Sequence, residues 1–233
     1  AEDGAGTQVL RRVAAAGHDV ALVLTDGRRR TAGATVGDAA ARMGIDVRRA
    51  AGLREAGTAE TLRELRVDLL LNVHSLHVVH PDVLRAPALG AFNLHPGPLP
   101  GLAGLNVPCW ALYLGHERHG VTLHRMAPEV DAGDVAYAAG FPIGPETTGL
   151  TLMTACVRQG LALVDRLVAT AAEGRPIPAV RQDGRLRGWF DAAPPGGGWI
   201  DWAGPAARIA GLVRACDWGP APSPWGVARG LVD

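Results

Sequence analysis

The chain carries the stretch Phe92-Asn93-Leu94-His95-Pro96-Gly97-Pro98-Leu99-Pro100. Asn93 and His95 are two residues apart, so on a β-strand their side chains leave the same face of the sheet. The prolines that follow end the strand, because proline cannot continue a hydrogen-bonded ladder. The stretch therefore predicts an amide and an imidazole held side by side at the carboxyl end of a strand, where open α/β sheets bind ligands.

A second turn supplies a carboxylate that could join this pair. It has the sequence Val130-Asp131-Ala132-Gly133-Asp134 and follows an apolar run that reads as a strand. Asp131 on this turn could complete an Asn–His–Asp site, and Asp134 is the rival carboxylate. An amide, an imidazole and a carboxylate together can stabilise an oxyanion and move a proton.

Short apolar runs alternate with helical segments along the chain, which is typical of an α/β protein with a mostly parallel sheet. We predict an open sheet with helices on both faces, followed by a short C-terminal linker-helix segment. The predicted strands are Asp19–Leu24, Ile45–Val47, Val67–Val73, Ala91–Leu94, Gly120–Met126 and Val135–Phe141. The predicted helices are residues 6–16, Val36–Met43, Thr58–Leu65, Asn106–Tyr113, Thr148–Thr170 and Pro205–Asp217.

Composition excludes several function classes. The 23 basic and 23 acidic residues balance, so the chain lacks the charge expected of a protein that wraps nucleic acid. It has no apolar run long enough to predict a membrane span. All its basic residues are arginine, which removes lysine chemistry. The run Arg28-Arg29-Arg30 reads as a solvated loop or as a contact with a phosphate-bearing partner.

The three cysteines, Cys109, Cys156 and Cys216, are odd in number and widely spaced. They predict buried free thiols in a reducing compartment, and we expect a cytoplasmic protein.

Several separate motifs resemble the folate-dependent formyltransferase family. They are Asn93-x-His95-Pro96, the Leu99-Pro100 turn with its Gly-rich continuation, His119-Gly120-Val121-Thr122 and Val130-Asp131-x-Gly133, in that order. The resemblance implies a Rossmann-like sheet and an enzyme that uses 10-formyltetrahydrofolate as formyl donor. It also implies that Asn93, His95 and Asp131 are catalytic, because Asp131 precedes Ala132-Gly133 as the family's catalytic Asp precedes a small residue and Gly; Asp134 is left a role in the turn. We assign Pro96, Gly97 and Gly104 to substrate binding, with turn geometry as the alternative for the glycines.

The same resemblance implies two walls of a folate site. One is the segment Leu76-His77-Val78-Val79, whose backbone would hold the pteridine ring, since backbone donors and acceptors suit a flat heterocycle. The other is the loop from Met126 through Ala127, Pro128, Glu129 and Val130 to Asp131.

A metal site is an alternative for His74, His77 and His80, which are three residues apart. Pro81 disfavours a regular helix here, and no Asp, Glu or Cys completes a ligand set at suitable spacing. We expect no metal.

The family resemblance also bears on domains. We predict a formyltransferase domain over 1–190, and a linker with the start of a C-terminal subdomain over 191–233, because Asp191–Gly198 is rich in Pro and Gly. A strand expected before Gly4-Ala5-Gly6 is missing from the sequence, so either the sheet is shorter or the chain is a piece of a longer, multidomain protein; we favour the piece.

The sequence also bears on the formyl acceptor, the molecule that receives the formyl group. The residues of the signature and of the segment Thr122-Leu123-His124-Arg125-Met126 look most like formylation domains of nonribosomal peptide synthetases and stand-alone formyltransferases of secondary metabolism. This favours a small or carrier-protein-bound amino acid as acceptor, in natural-product biosynthesis. Alternatives are a sugar-nucleotide amine, methionyl-tRNA, or a non-catalytic folate-binding or docking module.

Overall fold

The structure is a computed structural model that describes residues 3–27 and 34–231. The Arg28–Arg30 run lies outside these residues. The helices are α1 (Asp3–Ala15), α2 (Val36–Arg42), α3 (Gly57–Glu64), α4 (Pro81–Arg85), α5 (Val107–Leu114), α6 (Gly149–Ala172) and α7 (Ala206–Cys216). The strands are β1 (Leu22–Leu24), β2 (Asp46–Arg48), β3 (Leu69–Val73), β4 (Gly90–His95), β5 (Ala103–Gly104), β6 (Arg118–Arg125), β7 (Val135–Pro142) and β8 (Trp189–Phe190).

Three strand pairs of the described chain are parallel, which confirms the predicted α/β class. β1 pairs with β2, with Val23 opposite Val47. β3 pairs with β4, with Asn72 opposite Asn93. β3 and β4 belong to a four-stranded sheet of order β3-β4-β6-β7, and β5 pairs with β8.

The chain folds into two compact units. The first takes its residues from Ala1–His95, Leu123–Tyr137 and Gly160–Gln182, and the second from Pro96–Thr122, Ala138–Gln159 and Asp183–Asp233. The predicted boundary near residue 190 stays a prediction.

The first unit is built from helices packed on β1 and β3. One buried cluster includes Val23 with Val36 and Ala40 of α2. Another includes Leu62 of α3 with Val79 and Val83, the latter on α4. The apolar periodicity of these helices therefore faces the strands, as an amphipathic segment requires.

The second unit has a core between α5 and α7. Gly211 of α7 lets the two helices approach closely, because a Cβ there would lie 2.6 Å from the carbonyl oxygen of Leu112. Trp110 packs against the same core, and its Nε1 donates to the carbonyl oxygen of Asp191 at 2.9 Å. This bond attaches the predicted linker to α5.

Most predicted element bounds agree with the structure to within about two residues. β3 starts at Leu69 rather than Val67, because the Val67 N–H closes α3 by donating to Leu62 O at 3.0 Å. The short helix α4 was not predicted. It begins at Pro81, where a missing N–H is tolerated, and the Nδ1 atom of His80 accepts from the Asp82 N–H at 3.1 Å.

The back of the signature strand packs on α6. Leu94 points away from Asn93 and His95, and a Cβ added at Gly160 of α6 would lie 2.8 Å from its Cδ2 atom. Glycine at position 160 therefore sets how closely α6 lies to β4.

We predict that Gly160→Val lowers the free energy of unfolding by about 1–3 kcal/mol, because the new methyl groups overpack the contact with Leu94. Urea denaturation measures the change. Gly57→Val is the matched control, since nothing lies within 4 Å of a Cβ there, and it should change stability by about 0.5 kcal/mol at most. Equal losses in the two variants would contradict the packing role.

Candidate functional site

The carboxyl end of β4 holds Asn93 and His95, as the spacing predicts. The His95 side chain is buried, and Asn93 is half-buried. Pro96 follows at the point where β4 ends. The alternation of side chains along the strand puts Leu94 into the core and leaves the two polar groups on the other face.

Asp131 lies beside both of these side chains. Its Oδ2 atom is 3.5 Å from His95 Nδ1, and its Oδ1 atom is 3.4 Å from Asn93 Nδ2. The Asp131 side chain is only 5% exposed. The structure therefore brings together the three residues that the sequence predicts, and all three belong to the first compact unit.

A strained turn presents the Asp131 carboxylate. Asp131 has φ 55, a left-handed conformation that side-chain-bearing residues seldom adopt outside functional sites. Gln182 holds the turn, because its Nε2 donates to the carbonyl oxygens of Asp131 at 3.0 Å and Gly133 at 2.6 Å. Only glycine fits at position 133, because the backbone lies so close to Arg125 that a Cβ would be 2.0 Å from its carbonyl oxygen.

Asp134 stands apart from this carboxylate. Its carbonyl oxygen accepts from the Arg125 N–H at 2.8 Å, which agrees with the turn role given to it.

His124 is a site residue that sequence reasoning missed. It is 1% exposed, and its Nε2 lies 3.1 Å from Asn93 Nδ2 and 3.5 Å from Asp131 Oδ1. Its Nδ1 lies 2.7 Å from the carbonyl oxygen of Arg125, so Nδ1 carries the hydrogen and donates. The lone pair of Nε2 then accepts from the Asn93 amide.

Asn72, opposite Asn93 on β3, was missed as well. Its Nδ2 donates to Asn93 Oδ1 at 3.0 Å and to Ser75 O at 3.2 Å. These bonds set the Asn93 amide with its oxygen toward Asn72 and its NH₂ toward His124 and Asp131. The pairing register of β3, β4 and β6 brings these hydrogen-bonded side chains together. No local motif of the sequence records that register.

The three histidines of the alternative metal site have separate structural roles. His77 Nε2 lies 2.8 Å from Asp26 Oδ2, His80 caps α4, and His74 follows β3 with φ 55. In the part of the chain that the structure describes, no group of three or more His, Cys, Asp or Glu side chains could hold a metal ion.

The two segments predicted to hold folate are adjacent. Met126 packs against the buried cluster that contains Val79. Leu76, Val78 and Val130 are instead 62%, 59% and 44% exposed. Exposed apolar side chains from two neighbouring loops can flank a flat ring, although the individual contacts stay a prediction.

The predicted substrate residues Pro96, Gly97 and Gly104 belong to the second unit. The carbonyl oxygens of Pro96 and Gly97 accept from His119 Nε2 at 2.9 Å and Thr122 Oγ1 at 2.8 Å. Gly104 has φ 100, and a Cβ there would lie 2.2 Å from Phe190 O, so packing alone requires glycine. Their contact with substrate stays a prediction.

The cysteines do not supply a nucleophile. All three are buried free thiols, as predicted. Burial raises the pKa of Cys109 and of Cys156 to about 12, so both stay protonated near neutral pH. Neither of these two thiols is therefore suited to act as a nucleophile.

Comparison with known proteins decides the family. The family model described as formyl transferase matches residues 6–166. The chain belongs to this family. It is a formyltransferase, which confirms the interpretation of the motifs.

Solved structures of formyltransferases share the fold. The N-formyltransferase from Helicobacter canadensis, in complex with folinic acid and dTDP-3-aminofucose, is 16% identical with a TM-score of 0.73, covering 92% of this chain and 77% of that one. A likely sugar N-formyltransferase from Mycobacterium tuberculosis is 14% identical with a TM-score of 0.73, covering 95% and 87%. Glycinamide ribonucleotide transformylase 1 from Symbiobacterium toebii is 25% identical with a TM-score of 0.64, covering 78% and 91%.

A search for membrane-spanning elements within residues 3–27 and 34–231 finds no helix that is both long and apolar enough to cross a bilayer.

We predict that His124→Phe lowers kcat for formyl transfer at least about tenfold, because Asn93 loses its acceptor and its orientation. His124→Gln restores an acceptor oxygen and should recover part of the activity. Steady-state kinetics of the formyl product measure both variants, with Tm as a control for folding. Equal activity of the Phe and Gln variants would contradict an orienting role for Nε2.

Proposed function

We propose that the formyltransferase moves the formyl group of 10-formyltetrahydrofolate to the primary amine of a sugar nucleotide. The observation that carries the formyl-transfer chemistry is the convergence of Asn93, His95 and Asp131 within 3.5 Å. The reaction is an acyl transfer in which the amine attacks the formyl carbon. It requires stabilisation of an oxyanion and transfer of a proton from the attacking to the leaving nitrogen.

Asn93 is suited to bind the oxyanion. Its carbonyl oxygen accepts from Asn72, so its NH₂ group is the donor end, and this group contacts His124 Nε2 at 3.1 Å and Asp131 Oδ1 at 3.4 Å. The oxyanion would replace the longer of these two contacts. An amide donor does not titrate, and it is held before the reaction begins, which is the condition for electrostatic stabilisation. His95 adds a charge-assisted hydrogen bond when it is protonated.

Asp131 orients His95 and takes the amine proton. A buried carboxylate 3.5 Å from His95 Nδ1 favours the imidazolium form, because opposite charges attract strongly where water is excluded. The same carboxylate can accept the proton of the attacking amine, directly or through water. The proton then passes to the leaving nitrogen of the folate as the tetrahedral intermediate collapses.

The loops 76–79 and 126–130 are proposed to hold the folate. Met126 and Val79 form their buried base, and Leu76, Val78 and Val130 are exposed above it. The backbone between these side chains offers donors and acceptors to a pteridine ring. The N-formyltransferase from Helicobacter canadensis binds folinic acid, which is a formylated tetrahydrofolate, and this agrees with the proposal.

The likeness to sugar N-formyltransferases supports the sugar-nucleotide acceptor. These structures cover 92–95% of the chain, whereas glycinamide ribonucleotide transformylase covers 78%. The residues of the sequence by themselves favour a small or carrier-bound amino acid as acceptor. We keep that acceptor as the second candidate because the signature Asn93–Pro100 resembles those of formyltransferases that act on aminoacyl groups.

The free buried thiols agree with a reducing cytoplasm as the place of action.

A panel of amines separates these candidates. The protein is incubated with 10-formyltetrahydrofolate and amino-sugar nucleotides, free amino acids or carrier-bound aminoacyl groups, and mass spectrometry follows a gain of roughly 28 Da, as expected for a formyl acyl group. Product with an amino-sugar nucleotide supports the proposal. Product with aminoacyl substrates alone would replace the acceptor. Folate binding without any product would favour a docking module.

We predict that His95→Asn and Asp131→Asn each lower kcat at least about 100-fold, since each removes a group that moves or stabilises a proton. Asparagine preserves the size of Asp131 and tolerates its left-handed backbone. Asp134→Asn is the matched control and should stay within about threefold of the parent activity. Near-normal turnover of Asp131→Asn, or an equal loss in Asp134→Asn, would remove Asp131 from this role.

A further inference from the structure

The turn that carries Asp131 is hydrogen-bonded on two sides to other parts of the first unit. On one side, the Arg125 N–H at the end of β6 donates to the Asp134 carbonyl oxygen at 2.8 Å. On the other side, Val135 and Val180 exchange two backbone hydrogen bonds of 2.8 and 2.9 Å in an antiparallel bridge. The segment that follows α6 therefore runs beside the start of β7, and it brings Gln182 to the turn.

Gln182 joins this segment to the turn through its side-chain amide. The Nε2 atom donates to the carbonyl oxygens of Asp131 at 3.0 Å and Gly133 at 2.6 Å, and an amide NH₂ has two hydrogens, enough for one bond to each. A reversed amide would place Oε1 against two carbonyl oxygens, so the bonding fixes its orientation. Oε1 is buried and makes no hydrogen bond to any residue that the structure describes, so the side chain acts through its donors.

The bond to the Asp131 carbonyl oxygen also acts on the Asp131 side chain. The carbonyl carbon and Cβ share one Cα, so a fixed carbonyl direction fixes the direction in which the side chain leaves the backbone. Asp131 has φ 55, which backbone sterics disfavour, so surrounding bonds must hold it there. From this position the carboxylate lies 3.5 Å from His95 Nδ1 and 3.4 Å from Asn93 Nδ2.

We propose that Gln182 is a positioning residue for formyl transfer, which holds the Asp131 carboxylate at its working distance from His95. This rests on the proposed catalytic role of Asp131. Gln182 bonds to the backbone of the turn rather than to a reacting group, so it acts through Asp131. A misplacement of a reacting group by about 1 Å can cost roughly 100-fold in rate, so the loss of these two bonds should lower kcat.

Two substitutions remove the donors in different ways. Gln182→Met keeps the length of the side chain and has no donor, and Gln182→Glu keeps its shape but, when ionised, presents only acceptors to the two carbonyl oxygens. We expect kcat to fall at least about tenfold in Gln182→Met and at least about 30-fold in Gln182→Glu, with both KM values within about threefold of the parent. Steady-state kinetics with 10-formyltetrahydrofolate and the amine accepted in the panel measure this.

The matched controls make the same changes at the next residue. Arg181 is exposed, so Arg181→Met and Arg181→Glu test the effect of a thioether or a carboxylate near the turn without removing its hydrogen bonds. Both should keep kcat within about threefold of the parent. Tm is measured for all four variants as a control for folding.

A second readout does not depend on activity. His95 faces Asp131 and His124, and the Asp131 carboxylate favours its imidazolium form. When that carboxylate moves away in Gln182→Met, the NMR titration of the His95 imidazole should move to lower pH. The Arg181→Met titration should match that of the parent.

Each outcome decides the proposal. Lower kcat at near-constant KM in both Gln182 variants, with the shifted His95 titration, supports it. Parent-like kcat in both, while Asp131→Asn is inactive, overturns it, as do equal losses in the Arg181 variants. Unfolding of both Gln182 variants where the Arg181 variants stay folded would show a role in folding and overturn it as well. If Asp131→Asn is itself active, the catalytic role of Asp131 is wrong, and the His95 titration alone decides whether Gln182 positions this carboxylate.

Discussion

The burial of the Asp131 carboxylate is the constraint on which the site depends. A charge removed from water is strongly destabilised unless neighbouring groups compensate it. Here the compensating groups are the His95 imidazole and the Asn93 amide, both contributed by β4. Gln182 restrains the turn that presents Asp131, because it donates to the Asp131 carbonyl oxygen.

This arrangement gives the two faces of β4 different tasks. One face carries Asn93 and His95, and the other carries Leu94, which packs against Gly160 of α6. Two of the three proposed catalytic groups are thus held by a strand, and the third, Asp131, is held by a turn that Gln182 restrains. Such support is what preorganised donors require. The surrounding amides and imidazoles add hydrogen bonds in one direction, from Asn72 through Asn93 to His124 and the Arg125 carbonyl.

Local patterns in the sequence were enough to predict the fold class, the family and the three central residues. The Asn93-x-His95-Pro96 spacing specifies a shared face and a strand end, and both are properties of neighbouring residues. His124, Asn72 and Gln182 were missed because their roles arise from pairing between distant segments, which no local spacing records. The residues of the signature resemble those of formyltransferases that act on aminoacyl groups, and the identity of the acceptor stays a prediction.

The protonated, buried state of the cysteines has a practical consequence. Cys109 and Cys156 have their pKa values raised to about 12 and lie in packed apolar surroundings. A maleimide reacts with an exposed thiolate, so a single cysteine introduced at a solvent-facing position would be labelled in preference to the native ones. Fluorophores or spin labels could thus be attached at chosen positions without first replacing the native cysteines.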